Sequence, residues 1–303
     1  MQNKVVLITG GARGMGRVTA LALAEMGAAK IILVDWEGEE GTRTRDAINR
    51  QCSRDVAEFI YCDLSSMDEV KALAADLSAR LGKLDVLINN AGITDPVRRE
   101  SVDGFEMHLA TCHLAHYILS NCLLGLLRAS GAGRIICISS DAHKAGPGLD
   151  FDDINNEAIW KGKPVSNSAA FQAYHRGKLS NLYMMQELAE RLSGEPVTVN
   201  AVSPGYFINT TIHRQMTGVF KWGAALVFGI GSLLNLNTPS KGARTHIWLA
   251  SSAEVEGVSG KYFEHCKEKP MSELAADVEL RRQLWAWSER ATGVKFPLLE
   301  SLL

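Results

Sequence analysis

This chain of 303 residues lacks several features, and each absence narrows what it can be. It has no basic excess. Its 32 Lys and Arg stand against 34 Asp and Glu, a formal net charge of -2, so nothing is present to neutralise a run of phosphates. Neither nucleic acid nor an acidic membrane surface is therefore an expected partner. The six cysteines, at 52, 62, 112, 122, 137 and 266, include no pair at CxxC spacing. That argues against a zinc site and leaves reduced, mostly buried thiols as the expectation. The mostly apolar run Trp222–Leu234 has 13 residues, where a bilayer span needs about 20, so no integral membrane span is expected. The first strand-like run starts at Lys4, which leaves no room for a signal peptide or N-terminal anchor and points to a cytoplasmic protein. No repeat, low-complexity tract or linker divides the chain, so residues 1–303 read as one domain. Hydrophobic residues at 46% and charged residues at 22% suit an ordinary globular protein with a sizeable core.

Short apolar runs alternate with helical periodicity. Strands are expected at Lys4–Thr9, Lys30–Val34, Phe59–Cys62, Leu84–Ile88, Arg134–Ile138, Val197–Val202 and Lys261–Phe263. Helices are expected at Met15–Met26, Gly38–Gln51, Met67–Leu81, Ser101–Ala129 and Ala169–Leu192. Strands separated by helices pair in parallel through right-handed crossovers, which gives a doubly wound α/β sheet. Two segments break the rhythm. Asp141–Ser168 reads as a polar loop with Gly146, Pro147, Gly148 and Pro164. Thr211–Pro239 carries the apolar run, which could form a buried helix, a lid over a greasy substrate or a patch resting on a membrane surface; a lid or core role is favoured.

Between the first strand and the first helix stands Thr9-Gly10-Gly11-Ala12-Arg13-Gly14-Met15-Gly16. Gly10 permits a tight turn, Gly14 lets backbone approach a pyrophosphate, and Gly16 lets the helix pack close to the sheet. The helix then presents free N–H groups to phosphate. A glycine motif alone is weak evidence, but this one has the strand and helix that a dinucleotide site requires on either side. Asp35 ends the second strand 19 residues past Gly16, where a carboxylate accepts hydrogen bonds from the adenosine ribose and repels a 2′-phosphate. This favours NAD over NADP. Arg13 pulls the other way, since it could pair with a 2′-phosphate, although a solvated turn charge is an equal reading. Trp36 follows Asp35; Asp63-Leu64 and Asn89-Asn90-Ala91-Gly92 sit at the ends of the third and fourth strands, where doubly wound sheets bind ligands.

Tyr174 and Lys178 lie four residues apart on a helix and so share a face. A tyrosine is a poor base near neutral pH, and a nearby ammonium favours its phenolate. Such a pair can take a proton from an alcohol, or give one to a ketone, while a cofactor carries hydride. Ser140, just past the fifth strand, can hydrogen-bond the substrate oxygen.

These motifs, in this order, resemble the short-chain dehydrogenase/reductase family over nearly the whole chain. The resemblance extends to Pro204-Gly205, which in that family borders the nicotinamide. Asp103-Gly104-Phe105-Glu106, Phe151-Asp152-Asp153, Leu192–Asn200 and Glu256–Phe263 with Cys266 are similar to its retinol-dehydrogenase-like branch. The resemblance implies a Rossmann-type doubly wound parallel sheet of about seven strands, and oxidoreduction of an alcohol, ketone or aldehyde with a small or lipophilic body. It also implies a homodimer or homotetramer, through the two long helices.

The departures matter as much. Cys112 stands where the family commonly has an Asn that helps link the lysine to solvent through water. Either the proton relay is weakened or the backbone carbonyl at 112 does the work, and a dinucleotide-binding protein with weak catalysis, used for sensing or assembly, is the alternative this raises. Asp35-Trp36 replaces the branch's usual Cys-Arg, whose arginine selects NADP. Gly177 replaces a common Ser, and the threonine after Pro204-Gly205 is displaced, with Thr210 and Thr211 as candidates for its amide contact. His108, His113 and His116 fall at helical spacing, but no carboxylate or cysteine set completes a metal site, so none is expected. His175 lies on a different helical face from Tyr174 and reads as structural; His143 reads either as a substrate contact or as a loop residue.

Overall fold

The computed structural model describes residues 1–146, 148–205 and 238–298. One sheet carries eight strands: β1 Val5–Thr9, β2 Lys30–Asp35, β3 Ala57–Tyr61, β4 Val86–Asn89, β5 Gly133–Ile138, β6 Val197–Val202, β7 Tyr262–Glu264 and β8 Lys267–Glu268. Their spatial order is β3-β2-β1-β4-β5-β6-β7-β8. All pairings are parallel except β7 with β8. The order reverses between β1 and β4, the switch point at which such sheets bind ligands beyond their carboxyl ends. The expected seven strands thus gain an eighth, a two-residue exposed antiparallel edge too short to leave an alternation pattern.

Alternate side chains serve the two faces. Leu7, Ile32, Leu87, Ile135 and Val199 pack with α3 (Met67–Arg80), α5 (Ala115–Cys122) and α8 (Asn167–Arg191). Val6, Ile8, Ile31, Leu33, Ile88 and Ile136 pack with α1 (Gly14–Glu25), α2 (Gly38–Cys52) and α9 (Pro239–Ser251). Both faces are covered, which is why the strands read as continuous apolar runs.

The stretch expected as one helix over 101–129 is not one. Ser101 Oγ accepts from the backbone N–H groups of Asp103 and Phe105 across a turn with Gly104 at φ +80°. The Glu106 carboxylate then caps the N–H groups of His108 and Leu109, so helix starts only at α4 (Met107–Leu109). A π-helical turn, Ala110–Leu114, leads into α5, and α6 (Leu124–Ala129) follows. The 141–168 loop contains a 3₁₀ turn at Asp141–Lys144 and α7 (Glu157–Trp160). α10 (Val278–Thr292) closes the fold against α8. The expected lid lies outside the described residues over 211–237; at its end Thr238 caps α9, which begins at Pro239.

Candidate active site

The glycine-rich turn is built to bring backbone close to a ligand. Gly10 and Gly14 have φ of +64° and +53°, which L side chains rarely adopt. A Cβ on Gly16 would stand 2.2 Å from the Gly10 carbonyl oxygen, so only glycine lets α1 pack here. α3, α8, α9 and α10 each have a Ser, Thr or Asp side chain capping their first turn. α1 has Arg13 at that position, no side-chain cap and no acidic residue in its first turn. The first-turn N–H groups of α1 would meet a pyrophosphate there. Met15 is half-buried one residue into the helix.

Neighbouring strands hold the turn. Asn90 donates its side-chain amide to the carbonyls of Thr9 (2.7 Å) and Gly10 (3.2 Å), while Thr9 Oγ1 accepts the N–H groups of Asn90 and Ala91. Asn89 points inward and donates to Ser120. The Asp35 carboxylate accepts from Ala12 N–H at 3.0 Å and Glu37 N–H at 3.2 Å; burial raises its pKa, against the lowering effect of those bonds. Asp35 therefore braces the turn. Arg13 pairs with Glu37, and its guanidinium reaches Glu40 at 3.9 Å. Trp36 is 63% exposed beside them. Asp63 accepts both the N–H and hydroxyl of Ser65 in a local turn, and Leu64 is buried. Gly92 follows at the mouth of β4, half-buried, and Pro204 and Gly205 follow β6, with Gly205 at φ +94° and its N–H on Ser203 Oγ. Thr210 and Thr211 lie outside the described residues.

Three bonds stitch β5 to α8. Ser139 Oγ donates to the Lys178 carbonyl (2.8 Å), and both Lys178 Nζ (2.9 Å) and Asn181 Nδ2 (3.0 Å) donate to the Ile138 carbonyl. Ser140 is thereby carried next to Tyr174, close enough to lower the phenol's pKa. Lys178 Nζ sits 5.3 Å from the centroid of the Tyr174 ring. Burial is the main influence on both groups. It raises the Tyr174 pKa, with the nearby Ser140 hydroxyl opposing, and lowers that of Lys178. Ser139 and Asn181 were missed as tethers; Asn181, one helical turn past Lys178, carries no sequence signal of its own.

Cys112 sits in the π turn, fully buried, and burial raises its thiol pKa. A Cβ on Gly177 would lie 3.1 Å from Cys112 Cβ, so the two departures from the family pattern face each other. The Cys112 carbonyl is engaged by His116 Nδ1 at 3.1 Å, and His116 Nε2 meets Thr9 Oγ1 at 3.1 Å. His116 is held neutral, its pKa pushed down to about 3 by burial. A carbonyl can only accept, so Nδ1 donates and Nε2 takes the threonine proton. The three helical histidines go separate ways: His108 to Glu106 and the Asp95 N–H, His113 to Ser288, His116 to Thr9. His143 is a loop residue, bridging the Ser140 carbonyl (2.6 Å) and the Ser272 N–H (3.2 Å). No described helix is long and apolar enough to cross a membrane.

A family model described as short chain dehydrogenase matches residues 4–149. Retinol dehydrogenase 14 from Homo sapiens is 38% identical, covering 97% of this chain and 88% of that protein. Retinol dehydrogenase 13 from Homo sapiens is 36% identical, covering 97% and 86%. Polyprenol dehydrogenase from Danio rerio is 33% identical, covering 96% and 87%. Among solved structures, an uncharacterized protein from Mycobacterium paratuberculosis has a TM-score of 0.73 at 28% identity, covering 98% of this chain and 96% of that one. A short chain dehydrogenase from Shigella flexneri complexed with NADP has a TM-score of 0.66 at 23% identity, covering 87% and 97%, a likeness of fold.

Proposed function

The chain belongs to the short-chain dehydrogenase/reductase family, in its retinol-dehydrogenase-like branch, and on that premise we propose that it interconverts a lipophilic alcohol and its ketone or aldehyde with NAD(H). Membership makes it an alcohol-type oxidoreductase on a dinucleotide-binding fold; the choice of NAD, the residue roles and the substrate body are our reading. The observation that carries it is the grouping of Ser140, Tyr174 and buried Lys178, whose Nζ lies 5.3 Å from the Tyr174 ring centroid, at the carboxyl end of β5.

The turn Gly10–Gly16 would hold the pyrophosphate and Asp35 the adenosine ribose. Bound nicotinamide supplies or accepts the hydride. Tyr174, kept neutral by burial, gives its proton to the substrate oxygen in reduction and takes it back in oxidation. Ser140 holds that oxygen. Lys178 has three donors, of which the Ile138 carbonyl takes one, and its charge favours the phenolate when Tyr174 releases its proton. Retinol and polyprenol, the alcohols for which the relatives are named, are long and apolar, which supports a lipophilic substrate here.

Purified protein with NAD and a panel of lipophilic alcohols should form NADH. Tyr174→Phe should lower kcat by about 10²–10⁴, the usual contribution of a positioned acid–base group. Equal turnover by parent and variant would sink the assignment of Tyr174. A cytoplasmic location belongs to the same reading, and recovery in the membrane fraction of lysed cells would contradict it.

A further inference from the structure

We propose that Glu37 and Glu40 capture Arg13 and so disarm a cation that could clamp a 2′-phosphate at the adenosine end of the site. This rests on the reading of Gly10–Asp35 as an adenine-dinucleotide site.

Arg13 follows Gly10 by three residues and caps α1 with extended backbone, φ -143°. An arginine near the end of the second strand is the group that accommodates a 2′-phosphate, as an acidic residue there binds a free 2′-hydroxyl. Here both kinds are present, and how they are paired decides between them. Arg13 Nε engages the Glu37 carboxylate, and Arg13 NH2 stands 3.9 Å from Glu40 Oε2. Arg13 and Glu37 are each 30% exposed and Glu40 22%, so the pair is partly shielded from water.

The geometry is braced. Asp35 accepts from Ala12 N–H and Glu37 N–H, one residue before Arg13 and at Glu37 itself, so one carboxylate fixes both backbones that present the pair. Thr44 Oγ1 donates to the Ala12 carbonyl at 2.7 Å and ties α2 to the same point. Arg43, on α2, is committed to Glu39 and Glu40. A 2′-phosphate would have to displace Glu37 from the guanidinium while lying against Asp35, Glu37 and Glu40. A ribose hydroxyl meets neither demand.

The test is a mutant cycle in the full chain, with Kd for NAD and for NADP measured by titration on the parent, Glu37→Gln/Glu40→Gln, Arg13→Gln and the triple variant. The double variant should tighten NADP at least tenfold relative to NAD, and adding Arg13→Gln should remove that gain. A gain that survives without Arg13 would overturn the capture, since relief of carboxylate repulsion would then suffice. So would a double variant whose NADP to NAD ratio equals the parent's. Glu37→Gln alone, which keeps the Arg43–Glu40 pair, should show part of the same gain, and a ratio equal to the parent's there would likewise count against it. The parent's own ratio reports separately on the NAD reading: preference for NADP would defeat that reading whatever the variants do.

Discussion

Acid should unfold this protein through its buried histidines. His113, His116 and His246 are fully buried, and loss of hydration pushes each pKa down to about 3. In the unfolded chain a histidine titrates near 6.5. The folded value lies below the unfolded one, so as pH falls through about 6.5 the unfolded chain takes up protons that the native chain refuses. Stability must then fall with pH down to about 3. Each histidine contributes about 1.4 kcal/mol per pH unit once its unfolded form is mostly protonated. Between about pH 6 and pH 5 the three together remove roughly 3–4 kcal/mol, a large share of the 5–15 kcal/mol typical of a folded domain. His143 and His175, also held down by burial, add in the same direction. Asp35 opposes, because burial raises its pKa and its native form binds a proton more readily. Denaturant unfolding at three pH values from neutral to mildly acid measures the slope. His246→Leu provides the control: neither of its ring nitrogens has a hydrogen-bond partner among the described residues, so the variant should lose about a third of the slope without losing stability at neutral pH. A flat profile in the parent, or an unchanged slope in the variant, would refute the reasoning.

Gly16→Ala forces a Cβ into the Gly10 carbonyl oxygen, and should weaken NADH binding at least tenfold in a fluorescence titration while lowering Tm. Asp35→Ala strips the acceptor from two backbone N–H groups and should cost about 1–3 kcal/mol in denaturant unfolding, besides shifting the nucleotide preference toward NADP. Cys112→Asn should change kcat by less than an order of magnitude, because the 112 carbonyl is already anchored by His116 and the side chain faces Gly177; a large gain would favour a protein whose catalysis has been relaxed.

The parallel strands were legible because both faces of the sheet are buried, which leaves unbroken apolar runs. The break at Glu106 was not. Its carboxylate caps α4, holds His108 two residues on and meets Asn156 fifty residues away, and helical periodicity carries no trace of these side-chain bonds. The expected helices do not include α9 and α10, although Thr238-Pro239 and Asp277 are helix-start signals for them. At the site, the glycine turn and the Tyr174–Lys178 spacing could be read directly, since each is local. The Arg13–Glu37 pair, and the His116–Thr9 contact across 107 positions, exist only because the sheet brings its strand ends together.

The central claim is hydride transfer at the Ser140–Tyr174–Lys178 site, and isotope transfer tests it most directly. NADH deuterated at the transferring C4 position is incubated with a panel of lipophilic aldehydes and ketones, and the alcohols are weighed by mass spectrometry. The account predicts one deuterium in the product alcohol with the parent protein, and almost none in the same time with Tyr174→Phe, although that variant still binds NADH. Deuterium-free product, or equal labelling by parent and variant, would contradict it.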